Sequence, residues 1–130
     1  MQQYVPLHLH TEYSLLDGAN RIKELIKHAQ ENNMPACAIT DHGVMYGAIE
    51  FYRMAKEAGL KPIIGSEFYV HDGDITQKDP ANNPLYHLVL LAKDRDGYKN
   101  LVKLTSIAHV DGFYYKPRIN HELIEKHKNG

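Results

Sequence analysis

Val5-Pro6-Leu7-His8-Leu9-His10 is short, mostly apolar and closes on two histidines one residue apart, so it reads as a β-strand. A strand sends alternate side chains to the same face, which sets His8 and His10 side by side, roughly 7 Å apart at their Cα atoms. Three later runs share this character: Ala36 to Thr40, which leads into Asp41-His42-Gly43; Pro62 to Val70, which contains Glu67; and Tyr86 to Ala92, which contains His87. Four successive strands that deliver His, Asp or Glu to one end of a sheet point to a multinuclear metal centre, because imidazole and carboxylate together suit divalent ions.

Between these runs the pattern becomes helical. After a loop from Thr11 to Ala19, Asn20 is placed to cap a helix from Arg21 to about Asn32, where Ile22, Leu25, Ile26 and Ala29 form an apolar stripe. A second helix is expected from about Tyr46 to Ala58, stopped by Gly59. A third, from about Arg95 to Ala108, puts Leu101, Leu104 and Ala108 on one stripe, and Asn120 can cap a short last helix ending near His127. His71 to Pro84 reads as a loop and Gly112 to Ile119 as irregular. Strands that begin near residues 5, 36, 62 and 86 with helices between them imply right-handed βαβ units and parallel strands.

In such folds the working groups gather at the carboxyl ends of the strands. His8, His10, Asp41 and His42 obey this rule; Glu67, in mid-strand, and His87, near a strand start, fit it less well. Four βα units make about half of a closed barrel, and Lys126-His127-Lys128-Asn129-Gly130 is a turn-like sequence of the kind that precedes another strand. The expected fold is therefore α/β, a partial (β/α) TIM-like barrel with open strand edges.

Composition narrows the function. At 130 residues the chain is one domain, long enough to bury a core. A net charge of -1 shows no overall pull toward nucleic acid or membrane, though a local basic groove is compatible with it. The single cysteine, Cys37, forms no internal disulfide, which fits a reducing cytoplasm and reads as buried core on its apolar strand. No apolar run reaches the roughly 18 residues of a membrane span, and the first residues have no signal-peptide pattern. Nine histidines are the one compositional oddity.

His8-Leu9-His10-Thr11-Glu12-Tyr13-Ser14-Leu15-Leu16-Asp17-Gly18, Thr40-Asp41-His42-Gly43 and Ile63-Ile64-Gly65-Ser66-Glu67 together resemble the polymerase-and-histidinol-phosphatase (PHP) superfamily. Ala48-Ile49-Glu50-Phe51-Tyr52, the run from Tyr86-His87-Leu88 to Gly97-Tyr98-Lys99-Asn100-Leu101, and Lys116-Pro117-Arg118 extend the likeness over residues 1–130. It is strongest to the branch found at the amino terminus of bacterial replicative DNA polymerases. The resemblance implies a distorted seven-stranded (β/α) barrel holding up to three divalent metals, zinc or manganese, with His8, His10, Asp17, His42, Glu67 and His87 at ligand positions. Asp17 stands where the phosphatase branch tends to carry His. Three further family ligands, a Cys or His on a later strand and an Asp-x-His pair, are missing from this sequence, so the chain is expected to be the amino-terminal part of the barrel and a poor catalyst alone.

The activity so implied is metal-dependent phosphoester hydrolysis, a 3′–5′ exonuclease-type site in a protein that performs DNA-directed DNA synthesis with other replisome subunits. The alternatives are a non-catalytic, metal-stabilised scaffold that docks the polymerase or a separate exonuclease, and a stand-alone histidinol-phosphate phosphatase-like protein. Intact ligand positions favour an active site over a degenerate one. Asp41 is expected to orient a ligand imidazole rather than to bind metal. Lys116 and Arg118 are candidates for phosphate or DNA contact, or else an exposed basic turn. Tyr13, Tyr114 and Tyr115 are candidates for base stacking, or for packing. His28, His71, His109, His121 and His127 read as solvated.

Overall fold

A computed structural model describes residues 4–130. The apolar stripe Ile22, Leu25, Ile26 and Ala29 is buried, and α1 (Ile22–Glu31) forms around it. β1 (Ala36–Ile39) is buried throughout. α2 (Ala48–Glu57) turns Ala48, Phe51 and Ala55 inward. These elements and Ile64 of β2 (Lys61–His71) make one core cluster, with β1 pairing parallel to β2 from Ala36↔Lys61 to Ile39↔Ile64. A second cluster joins Phe68 and Val70 of β2 to Leu101, Leu104 and Ala108 of α3 (Arg95–Val110). Side chains alternate along β2, so burying Phe68 and Val70 under α3 turns Glu67 and Tyr69 to the opposite face.

The parallel reading fails at one place that matters. β3 (Leu85–Leu91) pairs antiparallel with β2, from Gly65↔Leu91 to His71↔Leu85. The link between them, residues 72–84, holds no helix. A parallel return needs a crossover connection, usually helical; this loop reverses the chain instead. The βα alternation is therefore broken after β2, and the architecture is a mixed α/β sheet with parallel and antiparallel pairs.

Smaller expectations are also corrected. Val5 to His10 runs beside β1 without forming a regular strand: Pro6 has no N–H to give, and Leu9 spends its N–H on Thr40 Oγ1 at 2.8 Å. Only the carbonyls of Pro6 and Leu9 join the sheet, accepting from Ala38 and Thr40. Asn20 does not cap α1; its amide donates to the His10 carbonyl at 2.9 Å, closing the loop 11–20, while Arg21 occupies the cap position without a side-chain bond. Within the stretch read as irregular, β4 (Arg118–Ile119) pairs parallel with Tyr69 and Val70 of β2. α4 (His121–Lys126) is capped by Asn120, whose Oδ1 accepts from the Leu123 amide at 3.0 Å. His71 and His109 are not solvated: His71 is buried at the end of β2 against the Pro84 carbonyl, and His109 pairs with the Gly43 carbonyl at 2.9 Å.

Candidate metal centre

Glu67 lies at the centre of the site, 3 % exposed. Oε2 meets His8 Nε2 in a short contact and lies 2.9 Å from His10 Nε2. Oε1 lies 2.6 Å from His87 Nδ1 and 3.4 Å from His42 Nδ1. The other nitrogen of His42, Nε2, is 2.8 Å from Asp17 Oδ2. The His10 and His42 ring centroids are 3.8 Å apart. All six residues expected as ligands thus converge in three overlapping groupings: His8, His10 and Glu67; His10, Asp17 and His42; His42, Glu67 and His87.

Backbone pairing explains the convergence. β1 ends opposite Ile64, but β2 continues, and a parallel bridge joins His42 to Glu67 through Glu67 N to Asp41 O at 3.0 Å and Gly43 N to Glu67 O at 2.8 Å. Glu67 is in mid-strand only because β2 overruns its neighbour. His87 arrives because β3 is reversed: its starting end lies beside the carboxyl end of β2, with His87 directly across from Tyr69 and diagonal to Glu67. The turn after His42 needs Gly43, whose φ is +62° and whose added Cβ would sit 2.8 Å from Pro117 Cγ.

Asp41 does not orient an imidazole. Its buried carboxylate accepts from Thr11 N at 2.6 Å, Thr11 Oγ1 at 2.8 Å and Ser14 Oγ at 2.7 Å, and Ser14 Oγ in turn accepts from His42 N at 3.1 Å. Asp41 therefore fastens the loop that carries Asp17. The same loop folds so tightly that a Cβ on Gly18 would lie 1.8 Å from the Thr11 carbonyl oxygen. Thr11 and Ser14 were not singled out from sequence, since a lone hydroxyl in a turn carries no periodic signal. Tyr69 also borders the site, and its i, i+2 spacing from Glu67 is the signal in the sequence that marks it: its ring is near-parallel to His42 and edge-on to His87 at 5.1 Å.

Burial pushes the Glu67 carboxyl up, but hydrogen bonds with His10 and His8 and the nearby charge of His42 and His10 outweigh it and hold Glu67 below its ordinary range. Burial first, then the charges of Glu67 and Asp17, push the Tyr69 phenol up. The rim is open, with the side chains of His8, His87 and Asp17 each more than half exposed.

Arg118 cannot reach a substrate. It is 0 % exposed, and its guanidinium donates to the carbonyls of Gly112 at 2.9 Å, Ile75 at 2.6 Å and Gln77 at 2.8 Å and to Asn83 Oδ1 at 3.0 Å. It ties the loop 72–84 to the turn before β4. Lys116 is exposed and stands over the Tyr69 ring, 5.5 Å from its centroid.

The donor set fits divalent metal. Nitrogens of four imidazoles crowd two carboxylates, and His42 Nδ1 is buried without a hydrogen-bond partner, a cost that a metal ion in that position removes.

Residues 6–130 match the PHP domain. The chain belongs to the PHP family. Curated relatives of this PHP domain include DNA polymerase III subunit alpha of Helicobacter pylori, 51% identical over 98% of this chain and 10% of that protein. The same subunit of Campylobacter jejuni is 50% identical over 100% of the chain and 11% of that protein, and that of Aquifex aeolicus 47% identical over 99% and 12%. The chain spans about a tenth of the length of these relatives. Among solved structures, a protein assigned as a metal-dependent phosphoesterase from Bifidobacterium adolescentis superposes with a TM-score of 0.58 at 22% identity, over 82% of this chain and 33% of that one. An amidohydrolase from Chromobacterium violaceum gives 0.57 at 25% identity, over 80% and 32%. These likenesses place the mixed α/β sheet among PHP and amidohydrolase-type folds.

Proposed function

We propose that this PHP domain is a metal-dependent phosphoesterase of the 3′–5′ exonuclease type, and that it is the amino-terminal part of a (β/α) barrel in a bacterial DNA polymerase III alpha subunit. The observation that carries the reading is the buried Glu67 ringed by His8, His10, His42 and His87, side chains drawn from four separate segments. Glu67, with one oxygen toward each pair of imidazoles, would hold divalent metal together with His8, His10, His42 and His87. Divalent zinc or manganese held there would supply an activated water near neutral pH and positive charge for hydrolysis at phosphorus.

The protein's own residues account for the rest. Glu67 stays ionised because its partners hold its pKa down. Asp17 and His42 extend the donor set outward, and Asp41, through Thr11 and Ser14, keeps that outer loop in position. The exposed side chains of His8 and His87 leave an open approach for a DNA 3′ end. No helix among the described residues is long and apolar enough to cross a membrane. Our reading sets it in a cytoplasmic replisome, meeting DNA and other replication subunits through the full-length polymerase; its likeness to DNA polymerase III alpha subunits supports this.

The test uses the protein at its full native length. His10→Ala and Glu67→Ala are expected to abolish 3′–5′ exonuclease activity and leave nucleotide addition largely intact. An unchanged exonuclease rate, in a preparation free of other nucleases, refutes the enzyme reading. A loss of thermal stability on metal removal, with no wild-type exonuclease activity, favours the scaffold.

A further inference from the structure

Of the side chains whose chemistry suits a nucleotide, three are already committed. Tyr13 is partly buried and donates its hydroxyl to Glu50 at 2.7 Å. The Tyr114 ring faces the guanidinium of Arg118, 5.3 Å from the centroid. Arg118 itself is saturated by four acceptors. Two neighbours keep an open face or an unneutralised charge: Tyr115, 76% exposed and touched edge-on by Tyr114 at 4.7 Å, and Lys116.

Their position relates them to the metal centre. Lys116 stands over the Tyr69 ring, and that ring abuts both His42 and His87, so one aromatic side chain separates the ammonium from the site. Lys116 has no carboxylate within ion-pair distance among the described residues; the Tyr69 ring face is its neighbour, and no anion neutralises its charge. Tyr115 holds a left-handed φ of +59°, which is unfavourable for a bulky residue; the turn is pinned by Tyr114 N to Lys116 O at 3.0 Å. Pro117 anchors its far side against Gly43, next to His42. A fastened turn that keeps Tyr115 76% exposed, met only edge-on by the Tyr114 ring at 4.7 Å, and sets an ammonium on the aromatic ring beside a metal-ligating cluster is better explained by a ligand than by packing.

We propose that Tyr115 and Lys116 form the nucleotide-reading rim of the site. The Lys116 ammonium pairs with a backbone phosphate of single-stranded DNA beside the scissile linkage, and the Tyr115 ring stacks on an adjacent base. The inference rests on the phosphoesterase reading for what the site does to the strand, but binding is measurable without it. An aromatic stack and a single phosphate contact recognise any base, so the rim selects single-stranded nucleic acid over small phosphodiesters and is indifferent to sequence.

The probe is a fluorescein-labelled single-stranded oligonucleotide with a phosphorothioate 3′-terminal linkage, titrated with the full chain and followed by anisotropy. Tyr115→Ala and Tyr115→Gly are expected to weaken binding roughly fivefold or more, the loss of one stack, while Tyr115→Phe retains it. Using both Ala and Gly separates the ring from the backbone conformation. Lys116→Gln is expected to weaken binding and to lower the slope of log affinity against log salt by about 0.7, one phosphate contact on a single strand. In metal-loaded protein the preference for an oligonucleotide over bis(p-nitrophenyl) phosphate, as a ratio of kcat/KM values, should fall at least as far as the affinity does. Unchanged affinity and salt slope in folded Tyr115→Ala and Lys116→Gln overturn the proposal. Equal losses on both substrates, with unchanged oligonucleotide affinity, also overturn it, because the residues would then act only on the metal centre. Absence of hydrolysis in the wild type refutes the phosphoesterase reading alone, and the anisotropy still decides this one.

Discussion

Replacing Glu67 by Gln tests the metal centre with almost no change of shape. Two of the three possible ligand groupings contain Glu67; the third, His10, Asp17 and His42, does not. Metal content after equilibrium dialysis should therefore fall by the ions that depend on Glu67, leaving at most one per chain. Loss of a direct ligand should weaken a site by at least about 100-fold, since losing even an outer hydrogen-bond partner weakens metal binding 10- to 100-fold. Metal at about 100 times its dissociation constant stabilises the folded state by about 2.7 kcal/mol, and after a 100-fold loss of affinity by only about 0.4 kcal/mol. For a chain of this size those values correspond to roughly 10 °C and under 2 °C in Tm. The assay is thermal unfolding of metal-free and metal-loaded protein, wild type and Glu67→Gln, alongside metal analysis by mass spectrometry. An equal metal-induced rise in Tm for both, at unchanged stoichiometry, refutes the reasoning: Glu67 would then be a structural hub for imidazoles and no ligand.

Arg118→Met should destabilise the fold by about 3–5 kcal/mol, because it removes four hydrogen bonds from a charged donor and leaves buried carbonyls unpaired. Urea unfolding checks this, and a loss below about 1 kcal/mol would return Arg118 to the pool of substrate contacts. Asp41→Ala should release the loop 11–18 and speed amide exchange at Thr11 and His42, whose N–H groups depend on it directly or through Ser14. Burial pushes the Cys37 thiol up to about 11, so the folded state holds a proton that the unfolded state releases near 9. Stability from this group is complete below pH 9 and declines as pH rises toward 11, by roughly 1.4 kcal/mol per pH unit at most. Tyr69, raised mainly by burial, acts in the same direction. Urea midpoints at pH 8 and 10.5 should differ accordingly, and Cys37→Ala should reduce the difference.

The local sequence determined what is periodic or short-range. The stripe of Ile22, Leu25, Ile26 and Ala29 specified α1, the row Leu101, Leu104 and Ala108 specified the buried face of α3, and Asn120 specified the start of α4. The His-x-His pair, His42, Glu67 and His87 stood out because few purposes explain such residues in apolar runs. Tertiary structure decided whatever depends on partners distant in the chain. Nothing within Tyr86 to Ala92 encodes strand direction; the helix-free link and the pairing with β2 reverse it, and that reversal carries His87 to Glu67. A basic residue in Lys116-Pro117-Arg118 has the same signature exposed or buried; only the convergence of carbonyls from residues 75, 77 and 112 separates Arg118, held inside, from Lys116, left at the rim. Asp41 looked like a partner of its neighbour His42, but a carboxylate goes to the nearest donors in space, and the loop from Thr11 to Ser14 brought them 27 to 30 residues away in sequence.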